Sequence, residues 1–163
     1  MQRYLIALGS NMRHGRYGSP ERVLAAALTT LDRGKISVKQ ATPVLRSAPL
    51  GPSRRRYANS AAVIETRLEP EALLALLQQI ERQFGRRRGG QRWAARVLDL
   101  DIVLWSGGLW SSPGLTIPHL EFRQRSFVLG PAHALAPRWR DPLTGLTLRQ
   151  LYARLMRPAP RGA

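Results

Sequence analysis

Hydrophobic and polar positions alternate along this chain in two rhythms, one of period two and one close to 3.6, and the switches between them mark the elements. Residues 3–9 form a short apolar run ending at Gly9-Ser10-Asn11, which predicts a first strand. A basic, glycine-containing loop follows to Gly18. Ser19-Pro20-Glu21 then gives an N-cap, a proline at the first helical position and an acid in the first turn. Val23, Leu24, Ala27, Leu28 and Leu31 supply that helix's apolar stripe, and Gly34 ends it. Lys35 to Leu45 reads as one strand, and Tyr57 to Thr66 as another. In the second, Ala61, Val63 and Glu65 share one face and Ala62, Ile64 and Thr66 the other. Pro70 to Phe84 is the clearest helix, with Leu73, Leu77, Ile80 and Phe84 at helical spacing and Gly85 as its stop.

The stretch Arg92-Trp-Ala-Ala-Arg-Val-Leu-Asp-Leu-Asp-Ile-Val-Leu-Trp105 has a strand at its centre. Leu98, Leu100, Ile102 and Leu104 are expected on one face, Asp99 and Asp101 on the other. Ser106-Gly107-Gly108 turns the chain into a hairpin back toward Leu115–His119. Two more helices are expected over 126–136 and 147–156. The order β-α-β-β-α-β predicts an α+β, ferredoxin-like antiparallel sheet with both main helices on one face, followed by a C-terminal hairpin and helices. At 163 residues the chain fits a single domain over 1–157, with 158–163 as a disordered, proline-containing tail.

Composition changes this picture in two respects. The formal charge is +16, and 24 of the 26 basic residues are arginine, which points to polyanionic partners. Two clusters stand out, Arg54-Arg55-Arg56 and Arg86-Arg87-Arg88; single arginines elsewhere fit a generally basic surface. Residues 86–91 read as a mobile cationic loop of the kind that closes over anionic ligands. Cysteine is absent, which excludes disulfides and thiolate metal sites and is compatible with a cytoplasmic location. No apolar run approaches the ~18 residues of a membrane span, and the first nine residues read as a strand rather than a signal peptide.

The candidate chemistry centres on Asp99 and Asp101. Two carboxylates ~6–7 Å apart on one strand face stay ionised together when a cation lies between them. Oxygen-only donors favour a hard ion such as Mg²⁺. Arg92, Trp93 and Arg96 lie just upstream, so cations and an aromatic plane flank the acids, as phosphoryl transfer requires. A D-x-D strand also occurs as a structural ion pair or a solvated edge. Asn59 reads equally as a turn residue or as a hydrogen-bonding reader of a ligand. Gln78 and Glu81 share a polar helix face, and His119 could donate to a phosphate oxygen. Walker A, Rossmann, zincin, nucleophile-elbow and protein-kinase motifs are all absent.

Arg-Trp-Ala-Ala-Arg-Val-Leu-Asp-Leu-Asp-Ile-Val resembles the signature of the 6-hydroxymethyl-7,8-dihydropterin pyrophosphokinase family of folate biosynthesis. Ala-Leu-Gly-Ser-Asn, Pro-Leu-Gly-Pro, Tyr-Ala-Asn, the Gln78/Glu81 helix, the basic loop and Ile-Pro-His119…Arg125-Ser-Phe127 extend the resemblance in order along the chain. It implies transfer of a diphosphate from ATP to the pterin on the same ferredoxin-like fold. It implies that Asp99 and Asp101 hold two Mg²⁺ ions, that Arg86 and Arg88 lie on a catalytic loop, and that Arg96, His119 and Arg125 contact phosphates. Trp93 would help seal the site, Ile102, Leu115 and Thr116 would line an adenine pocket, and Gln78 and Glu81 would lie near the nucleotide. Tyr57 and Phe127 would sandwich the pterin, and Asn59 would read its amide edge beside backbone groups of Ser47 and Leu50. A monomer acting on small molecules alone is expected. Ala94-Ala95, Leu45, Ala48, Leu120, Gly114 and the long first loop depart from the common pattern of that family.

The rival reading is an RNA-binding module of the same topology, favoured by the charge. It needs exposed aromatics on the central strands, where this chain carries Asp99 and Asp101. A non-catalytic basic scaffold is the third alternative.

Overall fold

A computed structural model describes residues 1–47, 57–85 and 97–158, with residues 45–47 described by their backbone. Its centre is β1 (Gln2–Ser10), which runs antiparallel to β4 (Tyr57–Thr66) on one side and to β5 (Asp99–Trp105) on the other. β2 (Ile36–Ala41) and β3 (Leu45–Ser47) both pair with β4, so the strand order is β2-β4-β1-β5, the expected ferredoxin-like arrangement.

The stretch expected as one strand over 35–45 is therefore two. Pro43 supplies no backbone N–H and interrupts the ladder. Thr42 bridges the break: its N–H donates to the Ala61 carbonyl at 2.9 Å, and its hydroxyl accepts from the Ala61 N–H at 2.9 Å.

Two clusters of side chains use the two faces of the sheet. On one face, Tyr4, Ile6, Leu8, Ala62, Ile64, Leu100 and Ile102 pack against α1 (Pro20–Leu31) and α2 (Pro70–Gln83). On the other, Leu5, Ala61, Val63 and Val103 meet α3 (Ser126–Leu135) and α4 (Leu148–Leu155). Each buried aliphatic side chain contributes roughly 1.5–3 kcal/mol by leaving water, and strict alternation along β1 and β4 lets one sheet serve both cores. The capping signals act as read from the sequence. Ser19 accepts from the Arg22 N–H at 3.4 Å, and Thr147 forms a capping box with Gln150.

Leu104 departs from the expected face. The β1–β5 register shifts between Leu5 and Ile6, with Ile6 opposite Ile102 but Leu5 opposite Leu104. Val103 is the extra residue of this bulge, and both Val103 and Leu104 join the second cluster. The hairpin also differs: Ser106–Gly108 leads to β6 (Trp110–Ser112), which pairs with β7 (Leu115–Ile117) in a separate two-stranded sheet. Trp110 packs edge-on against Trp105 at 5.8 Å between ring centroids, which directs the hairpin toward the end of β5.

The C-terminal segment is fastened by a buried ion pair. Asp141, fully buried, takes Nε and a terminal nitrogen of Arg123 at 2.5 and 2.7 Å, and accepts further from the Thr144 hydroxyl and the Leu143 N–H. Burial pushes the carboxyl up, but Arg123 and the other donors outweigh it and hold Asp141 below the usual carboxylate range. Because the folded value is the lower one, the pair stabilises the fold above the unfolded carboxylate value of ~3.9. That stability is lost as pH falls through the folded value. Asp141→Asn is expected to lower unfolding stability by about 3 kcal/mol at pH 7 by leaving Arg123 without its charge partner. Urea melts from pH 7 to pH 3 would read this directly, and the gap between variant and wild type should narrow toward the acid end.

Candidate active site

The acids and the candidate readers meet on one face of the sheet. Gly9 of β1 lies opposite both Asn59 of β4 and Asp99 of β5, and in the neighbouring row on that face Ala7 lies opposite Ala61 and Asp101. Residues directly opposite point to the same side, so Asn59 and Asp99 flank a glycine, and Asp101 is set beside two alanines. A Cβ added at Gly9 would lie 3.7 Å from Asn59 Oδ1, which confirms that both residues use this face. Among the described residues the floor between Asn59 and the acids therefore carries the small side chains of Ala7 and Ala61 and none at Gly9. Asn59 is buried at 6% exposure, Asp99 is half-buried and Asp101 is exposed.

Among the described residues β5 has β1 as its only sheet neighbour, so alternate backbone groups on its outer edge need other partners. Glu81 provides one. Its carboxylate, 3% exposed, accepts the Leu100 N–H at 3.0 Å and so pins the residue between the two aspartates. Gln78, one turn earlier on α2, is exposed, so the two residues expected on one polar face have different environments.

A hollow of about 550 Å³ opens at this edge, and six of the candidate residues line it: Asp101, Ile102, Leu115, Thr116, His119 and Arg125. Leu115 is buried and Thr116 exposed on β7, so the hairpin presents an apolar wall with a polar rim. His119 is tied to β5 through its N–H, which donates to the Val103 carbonyl at 3.1 Å. Its Nδ1 accepts the Glu121 N–H at 3.2 Å, leaving the proton of the neutral ring on Nε2 as a donor. Arg125 pairs with Glu121 and sits 5.8 Å from the Phe127 ring. Leu74, Ser112, Leu120 and Glu121 also line the hollow and were not among the expected site residues. Only Glu121 carried a signal, its four-residue spacing to Arg125.

Tyr57 begins β4 opposite Ser47 of β3 and is half-buried, as is Phe127 in the first turn of α3. Leu50, Arg86, Arg88, Trp93 and Arg96 lie outside the described residues, as do the basic cluster at 54–56 and the tail from 159. Among the described residues no group of three or more His, Cys, Asp or Glu side chains could hold a metal. Two strand carboxylates, an oxygen-only donor pair, would suit a hard cation such as Mg²⁺. Among the described residues no helix is long and apolar enough to cross a membrane.

Comparison with known proteins gives consistent matches. The profile of the 7,8-dihydro-6-hydroxymethylpterin-pyrophosphokinase (HPPK) family matches residues 5–137. A 2-amino-4-hydroxy-6-hydroxymethyldihydropteridine pyrophosphokinase of Pseudomonas aeruginosa is 40% identical over 155 residues, covering 94% of this chain and 91% of its own. The protein of the same name from Haemophilus influenzae is 39% identical over 133 residues, 80% of this chain and 79% of its own. A Plasmodium falciparum HPPK-DHPS structure with SDX-DHP superposes with a TM-score of 0.70 at 12% identity, a likeness of fold alone. That match covers 94% of this chain and 44% of the Plasmodium chain.

Glu81→Ala should leave the Leu100 N–H without its carboxylate acceptor in a buried setting, at a cost of roughly 1–3 kcal/mol. Hydrogen exchange at the Leu100 amide reads the effect: protection should fall there by more than at β1 amides such as Ile6.

Proposed function

The chain belongs to the 7,8-dihydro-6-hydroxymethylpterin-pyrophosphokinase family, and we propose that it transfers the diphosphate of ATP to the hydroxymethyl group of 6-hydroxymethyl-7,8-dihydropterin, releasing AMP. The observation that carries this reading is the face on which Asn59 and Asp99 flank Gly9, with Asp101 one row away at the edge of the β5 hollow. A buried amide supports recognition of a pterin's lactam and amino edge, since it offers both a donor and an acceptor. Tyr57 and Phe127 supply flat apolar surfaces for the rings.

Ile102 and Leu115 give the hollow apolar walls suited to adenine, with Thr116 at the rim. His119 Nε2–H and Arg125 donate to phosphate oxygens, and by their places in the sequence Arg86, Arg88 and Arg96 add guanidinium groups to the same charge. Asp99 and Asp101 would hold Mg²⁺, two ions in the fullest form of this reading, which supplies charge neutralisation on the ATP phosphates when bound. The pterin hydroxyl oxygen attacks the β-phosphorus, and the bond from that phosphorus to the oxygen bridging to the α-phosphate breaks. AMP departs with that oxygen, and the hydroxyl proton is released to solvent. This chain's residues contribute position and electrostatic stabilisation rather than a covalent intermediate.

AMP formation from ATP should require both the pterin and Mg²⁺. Asp101→Ala should lower kcat/KM on the order of 10²–10³-fold, while Asn59→Ala should act mainly on the KM for the pterin. Chromatographic measurement of AMP with each component omitted tests the reading. Pterin-independent AMP, or an undiminished rate in Asp101→Ala, would refute it.

A further inference from the structure

The long loop between β1 and α1 builds a feature outside the transfer site. His14 and Gly18 form a one-bridge hairpin, each N–H donating to the other's carbonyl at 2.8 Å. Gly18, at φ +93°, supplies the left-handed residue that closes it. Inside the turn, His14 Nδ1 accepts the Arg16 N–H at 2.9 Å and the Tyr17 N–H at 3.2 Å. The neutral ring therefore carries its proton on Nε2, as a donor. The hairpin is fastened from below: Tyr17 stacks on the buried Phe84 ring at 5.0 Å, and His14 lies 4.8 Å from Tyr17.

Around the resulting hollow of about 440 Å³ stand Arg13, His14, Arg16 and Arg22, with backbone of the two glycines. The guanidinium of Arg16 lies 5.5 Å from the Tyr17 ring centroid, and a Cβ at Gly18 would touch Arg22 Cδ at 3.5 Å, so both arginines have a surface to lean on. Among the described residues no carboxylate lines the hollow and none is bonded to these three arginines. Glu21 is the one acid in residues 11–25 and is not part of the described lining. Ser10 ends β1 next to Gly9, the partner of Asp99, and three further residues span at most ~11 Å, so Arg13 starts the cluster beside the acid-bearing end of the sheet.

The geometry points to a phosphate-binding site at this hairpin: a hollow that takes a phosphate or diphosphate group, free or terminal on an organic molecule. Three guanidinium groups and an Nε2–H offer donors from several directions, and their combined charge suits a multiply charged oxyanion rather than a single carboxylate. The site is separate from the transfer reaction and does not depend on it. Its ligand is held by cations with no need for Asp99 or Asp101.

The test is calorimetric titration with inorganic diphosphate in EDTA, where the two aspartates repel the ligand. Wild type should bind one equivalent. Arg16→Ala/Arg22→Ala should weaken binding at least tenfold, whereas Arg154→Ala/Arg157→Ala, which removes the same charge at the C-terminal end of α4 and just beyond it, should not. The His14 Nε2–H resonance should shift on the same titration, a readout that needs no variant. Repeating the titration with AMP and with ATP separates a free anion from one carried on a nucleotide, and either binding through Arg16 and Arg22 upholds the site. Equal affinity in both double variants, an unmoved His14 signal, or binding of a random oligoribonucleotide with none of diphosphate would overturn it.

Discussion

The position of β5 at the edge of the sheet is the constraint on which the site depends. Among the described residues that strand has β1 as its only sheet neighbour, and its side chains serve opposite demands: Leu100 and Ile102 fill the core against α1 and α2, while Asp99 and Asp101 face away from it. A one-residue slip would exchange the two sets and bury two carboxylates among aliphatic groups, a state that costs several kcal/mol per charge. The register is held from both sides. β1 supplies the ladder, and Glu81 reaches from α2 to take the outward N–H of Leu100. The bulge at Val103 then releases the strand from strict alternation just beyond the acids. Val103 and Leu104 can both turn to the α3 side without disturbing Asp101.

The opposite wall is set by a separate device. The turn from His119 to Arg125 carries the hollow's imidazole and guanidinium and has little regular structure beyond a short 3-10 segment at Phe122–Gln124. Phe122, fully buried, anchors it from within, and the bidentate Arg123–Asp141 pair ties it to the segment before α4. Neighbouring arginines thus have different environments. Arg123 is sequestered by a buried carboxylate, whereas Arg125 pairs with the exposed Glu121, a contact that solvent weakens and a phosphate can replace.

Much of this was legible in the sequence because the physics that determines it is local. Capping residues, the 3.6-residue stripes of α1 and α2, and the alternation of β4 depend on neighbours a few positions apart, and Tyr57–Thr66 emerges with the expected bounds and faces. What was misread depends on distant partners. The bulge that moves Leu104 needs β1 opposite it, and the separate β6–β7 hairpin needs Trp105 to receive Trp110. For Glu81 the sequence shows a polar helix face shared with Gln78. The N–H it accepts is not visible there, because it belongs to an edge strand nineteen positions later. Asn59, ambiguous between a turn and a reader, proves to lie inside a strand with Gly9 across from it, which removes the turn reading. The break after Ala41 was written locally, in Pro43, and the longer apolar pattern masked it.

The same separation of local from distant causes bears on the charge. A formal excess of +16 invites one explanation, yet the described arginines divide by environment. Arg123 is structural, and Arg3 pairs with Glu65 across β1 and β4 at the end of the sheet remote from the acids. Others stand in the first-loop hollow and at Arg125, at the end where Asp99 and Asp101 lie. Two carboxylates alone would repel a phosphate chain, so a site that uses them for anionic ligands needs positive potential from its surroundings. Among the described residues Arg125, on the turn before α3, stands at the hollow that Asp101 lines, whereas the first-loop arginines surround a hollow of their own.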